Sequence, residues 1–360
     1  MSCGADRMRF AILGVWLLST PLLAQLAPAE GRGKYSTPLP IRRYALVVGI
    51  GDYHQIDKVK NATNDAHLVA KTLALPELGF DDIRILRDDE ADNKIHILQA
   101  AKNLADRAAI PDTAATIVFY FAGHGYQVDN VNYLAPRLAR KPRMDSATGK
   151  LDKSVLKDDG LSIGNILSVL QSARRPGVTI LMLDACRTNI FSGGLEKRGA
   201  DEQEGFYEVK TEDSQRAVLS FAASFGKPAK SASRLTQNNS PYASAVAELI
   251  VNEGAPLQNV LVSLRSLVSQ YTDDKQTTED INSAAAGTHF YFHRGEQNVA
   301  DEKASWFNVR DMTRKKCVVD YLAHYPDGYY AQHAMNYIRD EPASSVDIRT
   351  GETPCVLLYP

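Results

Sequence analysis

Two apolar runs, ATIVFYFAGHGYQ and GVTILMLDACRTN, constrain this chain more than any other feature of its sequence. Both are rich in β-branched and aromatic residues, both are bounded by turn formers, and neither alternates polar with apolar side chains. Strands of that kind are buried on both faces, as in a mostly parallel sheet covered by helices. Each run ends on a reactive side chain, His124 in the first and Cys186 in the second. In open α/β sheets the reactive groups gather just beyond the carboxyl ends of the strands. If the two strands are neighbours, an imidazole and a thiol meet in one cleft, the minimum for a cysteine nucleophile.

A cysteine or histidine after a strand is more often a buried structural side chain than a reactive one. The surroundings argue the other way. Gly125 follows His124 at once and lets a backbone N–H approach a substrate without a Cβ in the way. Cys186 has acidic Asp184 before it and basic Arg187 after it, which a core would not choose.

Strand-like runs at 44–50, 83–88, 116–121, 178–184, 217–222 and 288–293 alternate with helical spacing at 63–74, 93–107, 161–173, 242–251 and 256–271. That alternation predicts βαβ units, a parallel sheet and a helix–sheet–helix sandwich. Residues 30–41 read as an exposed linker and 137–160 as a long surface loop. The stretch 192–216 is glycine-rich and strongly charged, and loops of that length are usually functional or disordered. From 301 the composition shifts to helical spacing on both sides of a YPDG turn, a small helical-hairpin module with a tail to 360.

Several segments, in order, resemble the caspase-type (clan CD) cysteine peptidases, and more closely the bacterial metacaspase-like branch. RRYALVVGIGDY is similar to the family's first strand, and VKNATNDAHLVAKTL to the loop and helix behind it. FYFAGHGYQVDNVNYLAP is similar to the histidine segment and ILMLDACRTN to the cysteine segment. AVLSFAASFGKPA and NNSPYASAVAELI are similar to the small-subunit strand and helix. The interval from His124 to Cys186 is longer than the about 50 residues of the caspase signature, and DACRT stands where that signature has QAC-x-G. Metacaspases usually carry His-Ser after the cysteine, where this chain has Arg187 and Thr188. The resemblance implies an α/β caspase-like sandwich on a mostly parallel six-stranded sheet. It also implies a peptidase domain over 42–297, with a large-subunit-like part to about 191, the 192–216 loop, and a small-subunit-like part over 217–297.

It further implies roles for particular residues. Cys186 is the nucleophile and His124 its base, and the backbone N–H groups of Gly125 and Cys186 form the oxyanion hole, with no third catalytic residue evident. Metacaspase-like pockets offer carboxylates to an Arg or Lys, and Asp65 and Asp184 match those acidic positions, while Ala62 and Ala122 make the pocket less polar than usual. The other reading of Asp65 is a first-turn residue stabilised by the helix dipole. Asp158 and Asp159 in KDDGLS resemble the paired acids of calcium-dependent relatives, although two acids are few ligands for calcium and a solvated loop is the alternative. The chemistry itself calls for no cofactor.

Composition narrows the rest. Lys and Arg number 41 against 43 Asp and Glu, a net charge of −2, which leaves no basic field for nucleic acid. Arg7 and Arg9 precede the apolar stretch FAILGVWLLSTPLLA and the small residues Ala24 and Ala27–Ala29, the order of a secretory signal peptide over 1–29. The run is short for a spanning helix, so the expectation is an exported protein free of the membrane after processing, with a retained anchor as the alternative. An oxidising compartment permits a Cys317–Cys355 disulfide and leaves Cys186 as the odd thiol.

Lys197 and Arg198 in the 192–216 loop are the residues such an acidic pocket would itself cut, unless their charges only solvate the loop. The aromatic residues of the C-terminal module either face a protein partner or pack its helices together. The functional expectation is an endopeptidase acting on proteins or peptides after Arg or Lys. The alternatives are a catalytically silent caspase-like interaction module and, more distantly, another acyl transferase on the same dyad.

Overall fold

The computed structural model describes residues 41–110, 113–144, 151–172, 177–186, 217–224, 229–282, 290–310, 315–326 and 328–340, with positions 144, 151, 186, 310, 315 and 340 described through the backbone alone. The elements run β1 (Ile41–Gly49), α1 (Ala62–Leu73), β2 (Asp82–Arg87), α2 (Lys94–Ala108), β3 (Ala114–Val128) and β4 (Val131–Leu134). Next come the short β5 (Arg143–Met144), β6 (Leu151–Asp152), α3 (Ser154–Asp159) and β7 (Leu161–Ser162), then α4 (Ile163–Leu170) and β8 (Thr179–Cys186). The chain continues through β9 (Ala217–Phe221), α5 (Pro241–Leu249), α6 (Leu257–Tyr271), β10 (Glu279–Asn282), α7 (Glu296–Arg310), α8 (Lys315–His324) and α9 (Ala331–Asp340).

The main sheet is ordered β10–β9–β8–β3–β1–β2 and is parallel except for β10, which runs antiparallel to β9. The alternating side chains of its strands feed two separate cores. Leu46, Val48, Phe119, Phe121, Leu181 and Leu183 pack under α2 and α4. Val47, Val118, Tyr120, Ile180 and Met182 pack under α1, α5 and α6. Burial on both faces is why these strands lack polar alternation. The helices start where local chemistry lets them: the Asn93 side chain caps α2, Ser162 caps α4, and Ser240 followed by Pro241 opens α5.

Three expectations for the sheet domain change. The histidine strand does not stop at 121 but continues to Val128 and turns back through Asp129 and Asn130, both in the left-handed region, as a tight hairpin into β4. Among the described residues the outermost strand is Glu279–Asn282, and of the expected strand at 288–293 the described part, 290–293, does not join the sheet. Residues 290–293 make only isolated bridges, because Phe290 and Phe292 pack edge to face in the core and the Arg43 guanidinium holds the Tyr291 and Phe292 carbonyls. The true edge strand, EDIN, is polar and half-buried, so it carries little apolar signal. Within the expected 137–160 surface loop, α3 forms and buries Leu156 against the sheet.

The C-terminal module begins at Glu296, ahead of the expected 301, and shows three helices among the described residues instead of a hairpin. Trp306 is fully buried and packs on Tyr321, Tyr330 and His333, and the same cluster takes in Ala114 at the start of β3. The module therefore stands at the amino end of the sheet, away from His124 and Cys186 at the carboxyl end. The buried rings of Trp306, Tyr321, Tyr325 and Tyr330 pack its helices together. A buried ion pair, Arg294 to Glu302 at 2.7 Å, joins it to the sheet domain, and Tyr321 donates to the same carboxylate at 3.0 Å. Removing one partner of such a pair costs more than the pair contributes, because a buried charge is left alone. Cys317 is disulfide-bonded, while Cys355 lies outside the described residues.

Candidate active site

The parallel ladder between β3 and β8 runs to its last pair at His124 and Cys186, so the two reactive residues are register partners on adjacent strands. Neighbouring parallel strands stand about 4.8 Å apart, which sets the scale of that meeting. His124 is buried, and its Nε2 bonds the backbone carbonyl of Asp57 at 2.7 Å. A carbonyl only accepts, so Nε2 carries the proton and Nδ1 keeps its lone pair. Nδ1 is itself buried and has no hydrogen-bond partner among the described residues. Burial pushes the imidazole below its ordinary value, and the Asp57 carbonyl opposes this only in part. Burial thus favours the neutral imidazole, whose acceptor atom meets no donor among the described residues. The sequence did not reveal that the Asp57 carbonyl orients the ring, because a backbone carbonyl has no side-chain signature.

Gly125 lies one step beyond His124 on the hairpin arm of β3, opposite Leu134. Ala135 donates its N–H to the His124 carbonyl at 2.9 Å, which makes 124 and 135 a hydrogen-bonded pair and 125 and 134 a non-bonded one. In an antiparallel ladder the N–H of a non-bonded residue faces away from its partner strand. The Gly125 N–H is therefore turned away from β4, toward the β8 side.

Asp65 and Asp184 come together although α1 and β8 are far apart in sequence. Ser240, at the cap of α5, joins them: its N–H donates to Asp65 at 2.8 Å and its hydroxyl donates to Asp184. Asn239 adds a bond to Asp65 at 3.0 Å, and the Tyr120 hydroxyl one to Asp184 at 2.9 Å. Neither carboxylate has an ion-pair partner among the described residues. Burial, and then the charge of Asp184, push Asp65 above the ordinary carboxylate range, and burial pushes Asp184 up against the bonds from Ser240 and Tyr120. Asp65 does sit in the first turn of α1, but its bonds go to the start of α5. Tyr120, Asn239 and Ser240 went unnoticed in the sequence. Only Ser-Pro before an apolar run marks Ser240, as a helix start.

A pair of acids held above its unfolded-state range works against the fold. Below about pH 4 the unfolded carboxyls are protonated too and nothing is lost, whereas stability falls as pH rises through the raised folded values. Asp65→Asn, which keeps an acceptor for Ser240, should therefore stabilise the protein by on the order of 1 kcal/mol at about pH 8 and by nothing at about pH 3. Urea unfolding of both proteins at both pH values checks this. An equal effect at the two pH values would contradict it.

Of the two acids considered for calcium, Asp159 is engaged by Arg140. Against the cost of burial, Arg140 holds the Asp159 carboxyl below its ordinary range, its guanidinium bonding one oxygen at 2.7 Å and the other at 2.9 Å. Among the described residues no three His, Cys, Asp or Glu side chains gather as metal ligands. Lys197 and Arg198 lie outside the described residues.

The family model for the caspase domain matches residues 42–291, and the chain belongs to that family of cysteine peptidases, whose substrates are proteins. One solved structure similar to it is caspase-1 from Spodoptera frugiperda, at 12% identity and a TM-score of 0.46, covering 73% of this chain and 94% of that one. No curated protein matches this sequence.

Proposed function

We propose that this chain is an active cysteine endopeptidase of the metacaspase-like kind, which cuts proteins after Arg or Lys. The observation that carries the reading is the pair of buried carboxylates, Asp65 and Asp184, with no cation of the chain to neutralise them among the described residues. Asp184 is two residues before Cys186 on the same strand, so a guanidinium bound there lies one side-chain length from the nucleophile. Such a pocket holds a basic side chain by charge-assisted bonds and repels an acidic one.

In this reading His124 Nδ1 takes the Cys186 thiol proton, and the thiolate attacks the peptide carbonyl carbon. The N–H groups of Gly125 and Cys186 receive the oxyanion, each such donor contributing about 3–4 kcal/mol to the transition state. The imidazolium returns its proton to the leaving amine, and water then hydrolyses the thioester. Calcium at Asp158 and Asp159 has no part in this, since Arg140 occupies Asp159.

The test is hydrolysis of fluorogenic peptides that differ only at the residue before the scissile bond, with Cys186→Ala as control. If no peptide is cut, the chain is a silent interaction module instead. The reading includes export by the 1–29 segment, which lies outside the described residues, and no helix among those residues is long and apolar enough to cross a membrane.

It also includes self-cleavage within 192–216, after Arg198. The two fragments would stay associated, because β8 and β9 flank the cut and are paired in one sheet. Intact-mass analysis of wild type beside Cys186→Ala checks this: two fragments are expected from wild type alone. A fully active wild type that stays whole would end the self-processing idea and leave the peptidase assignment standing.

A further inference from the structure

The hairpin that carries His124 is open at one point. His124 and Ala135 form the hydrogen-bonded pair next to Gly125 and Leu134, and two direct bonds would ordinarily close it. Only one is direct, from Ala135 N–H to the His124 carbonyl at 2.9 Å. The place of the other is taken by the Tyr53 hydroxyl, which accepts the His124 N–H at 2.9 Å and donates to the Ala135 carbonyl at 3.1 Å. A side chain from the loop after β1 is thus wedged into the ladder at the histidine. Tyr53 is buried, and its ring lies 4.8 Å from the imidazole.

Two further features fit the wedge. Gly123, at φ 157°, has no Cβ, and one added there would stand 2.5 Å from the Tyr53 hydroxyl. The loop that supplies Tyr53 also supplies the Asp57 carbonyl on Nε2, and it is held at its base by Asp88, whose carboxylate accepts the N–H groups of Gly51 and Asp52 at 2.9 and 2.8 Å. One loop therefore sets both the main chain and the ring of His124.

We propose that Tyr53 is a positioning residue for His124, its hydroxyl holding the hairpin open so that the imidazole meets the Asp57 carbonyl with Nδ1 directed to the reaction. This rests on the peptidase reading for its kinetic consequence, though not for its structural one. Without the hydroxyl, the His124 N–H either stays unpaired or closes directly onto Ala135, and closure moves the histidine.

Tyr53→Phe keeps the ring and removes the bridge. Its kcat on an Arg fluorogenic peptide should fall on the order of a hundredfold, the usual cost of misplacing a catalytic group by about an ångström. KM should hold, because Asp65 and Asp184 stand on α1 and β8 and have no bond to Tyr53. The readout that a merely structural role would not move is the His124 imidazole Nε2–H resonance in histidine-labelled protein: protected in wild type, lost or exchange-broadened in the variant. If the variant does not fold, amide hydrogen exchange on wild type decides, with the His124 N–H expected to be slow. An undiminished kcat overturns the proposal, as does a reduced kcat with the imidazole resonance unchanged, or a freely exchanging His124 amide in wild type. A wild type that cuts no Arg or Lys peptide ends the functional reading alone, and the resonance and exchange measurements still decide the role of Tyr53.

Discussion

Cys186→Ala will lower peptide hydrolysis by at least about a thousandfold, leaving only what the oxyanion donors and the pocket achieve without a nucleophile. His124→Ala will come close, at about a hundred- to ten-thousandfold, the range for removing a general base. Both residues close the same ladder, so the double variant should lose little beyond Cys186→Ala. The fold should survive the cysteine change, since the sheet is held by its two apolar layers. Steady-state kinetics with circular dichroism on the same samples measures this. An alanine variant as active as wild type would remove the thiol from the chemistry altogether.

The enzyme will prefer Arg or Lys over Asp before the scissile bond by at least about a hundredfold, because facing a third carboxylate onto the Asp65–Asp184 pair, or leaving that pair unneutralised, costs several kcal/mol. Asp184→Ala should erode the preference mainly through kcat/KM. The pH dependence follows from the same burial. A guanidinium needs ionised acids, and both carboxyls sit above the ordinary range, so kcat/KM for Arg peptides should fall as pH drops through those raised values. Asp65→Asn should shift that fall to lower pH, since it removes the neighbouring charge and one of the two titrations. A wild-type preference for Asp would mean that the pocket has the opposite sign.

The strands around His124 and Cys186 were legible because burial on both faces leaves a local mark: a run of β-branched and aromatic residues without alternation. Helices α1, α2, α5 and α6 could be placed to within two residues, since apolar spacing and caps are also local. Strand β10 was not legible. A short, polar edge strand buries little, and its pairing comes from β9 and not from its own composition. The aromatic run at 288–293 misled for the converse reason, because Phe290 and Phe292 fill the core under α5 and α6 without joining a ladder.

By itself, the order of residues determined that this chain builds a helix-covered parallel sheet and that a histidine and a cysteine stand at the ends of two of its buried strands. Hydrophobic periodicity is written in neighbouring positions, so no distant contact is needed to read it. The tertiary structure alone decided that those strands are adjacent and in register, and that Ser240 joins Asp65 to Asp184. It also decided that the imidazole rests on the Asp57 carbonyl and that the Tyr53 hydroxyl stands inside the hairpin. Each of these is a polar contact between segments distant in the chain, and most involve backbone groups that every residue carries. Such contacts become specific only when packing of the apolar layers brings one donor within about 3 Å of one acceptor.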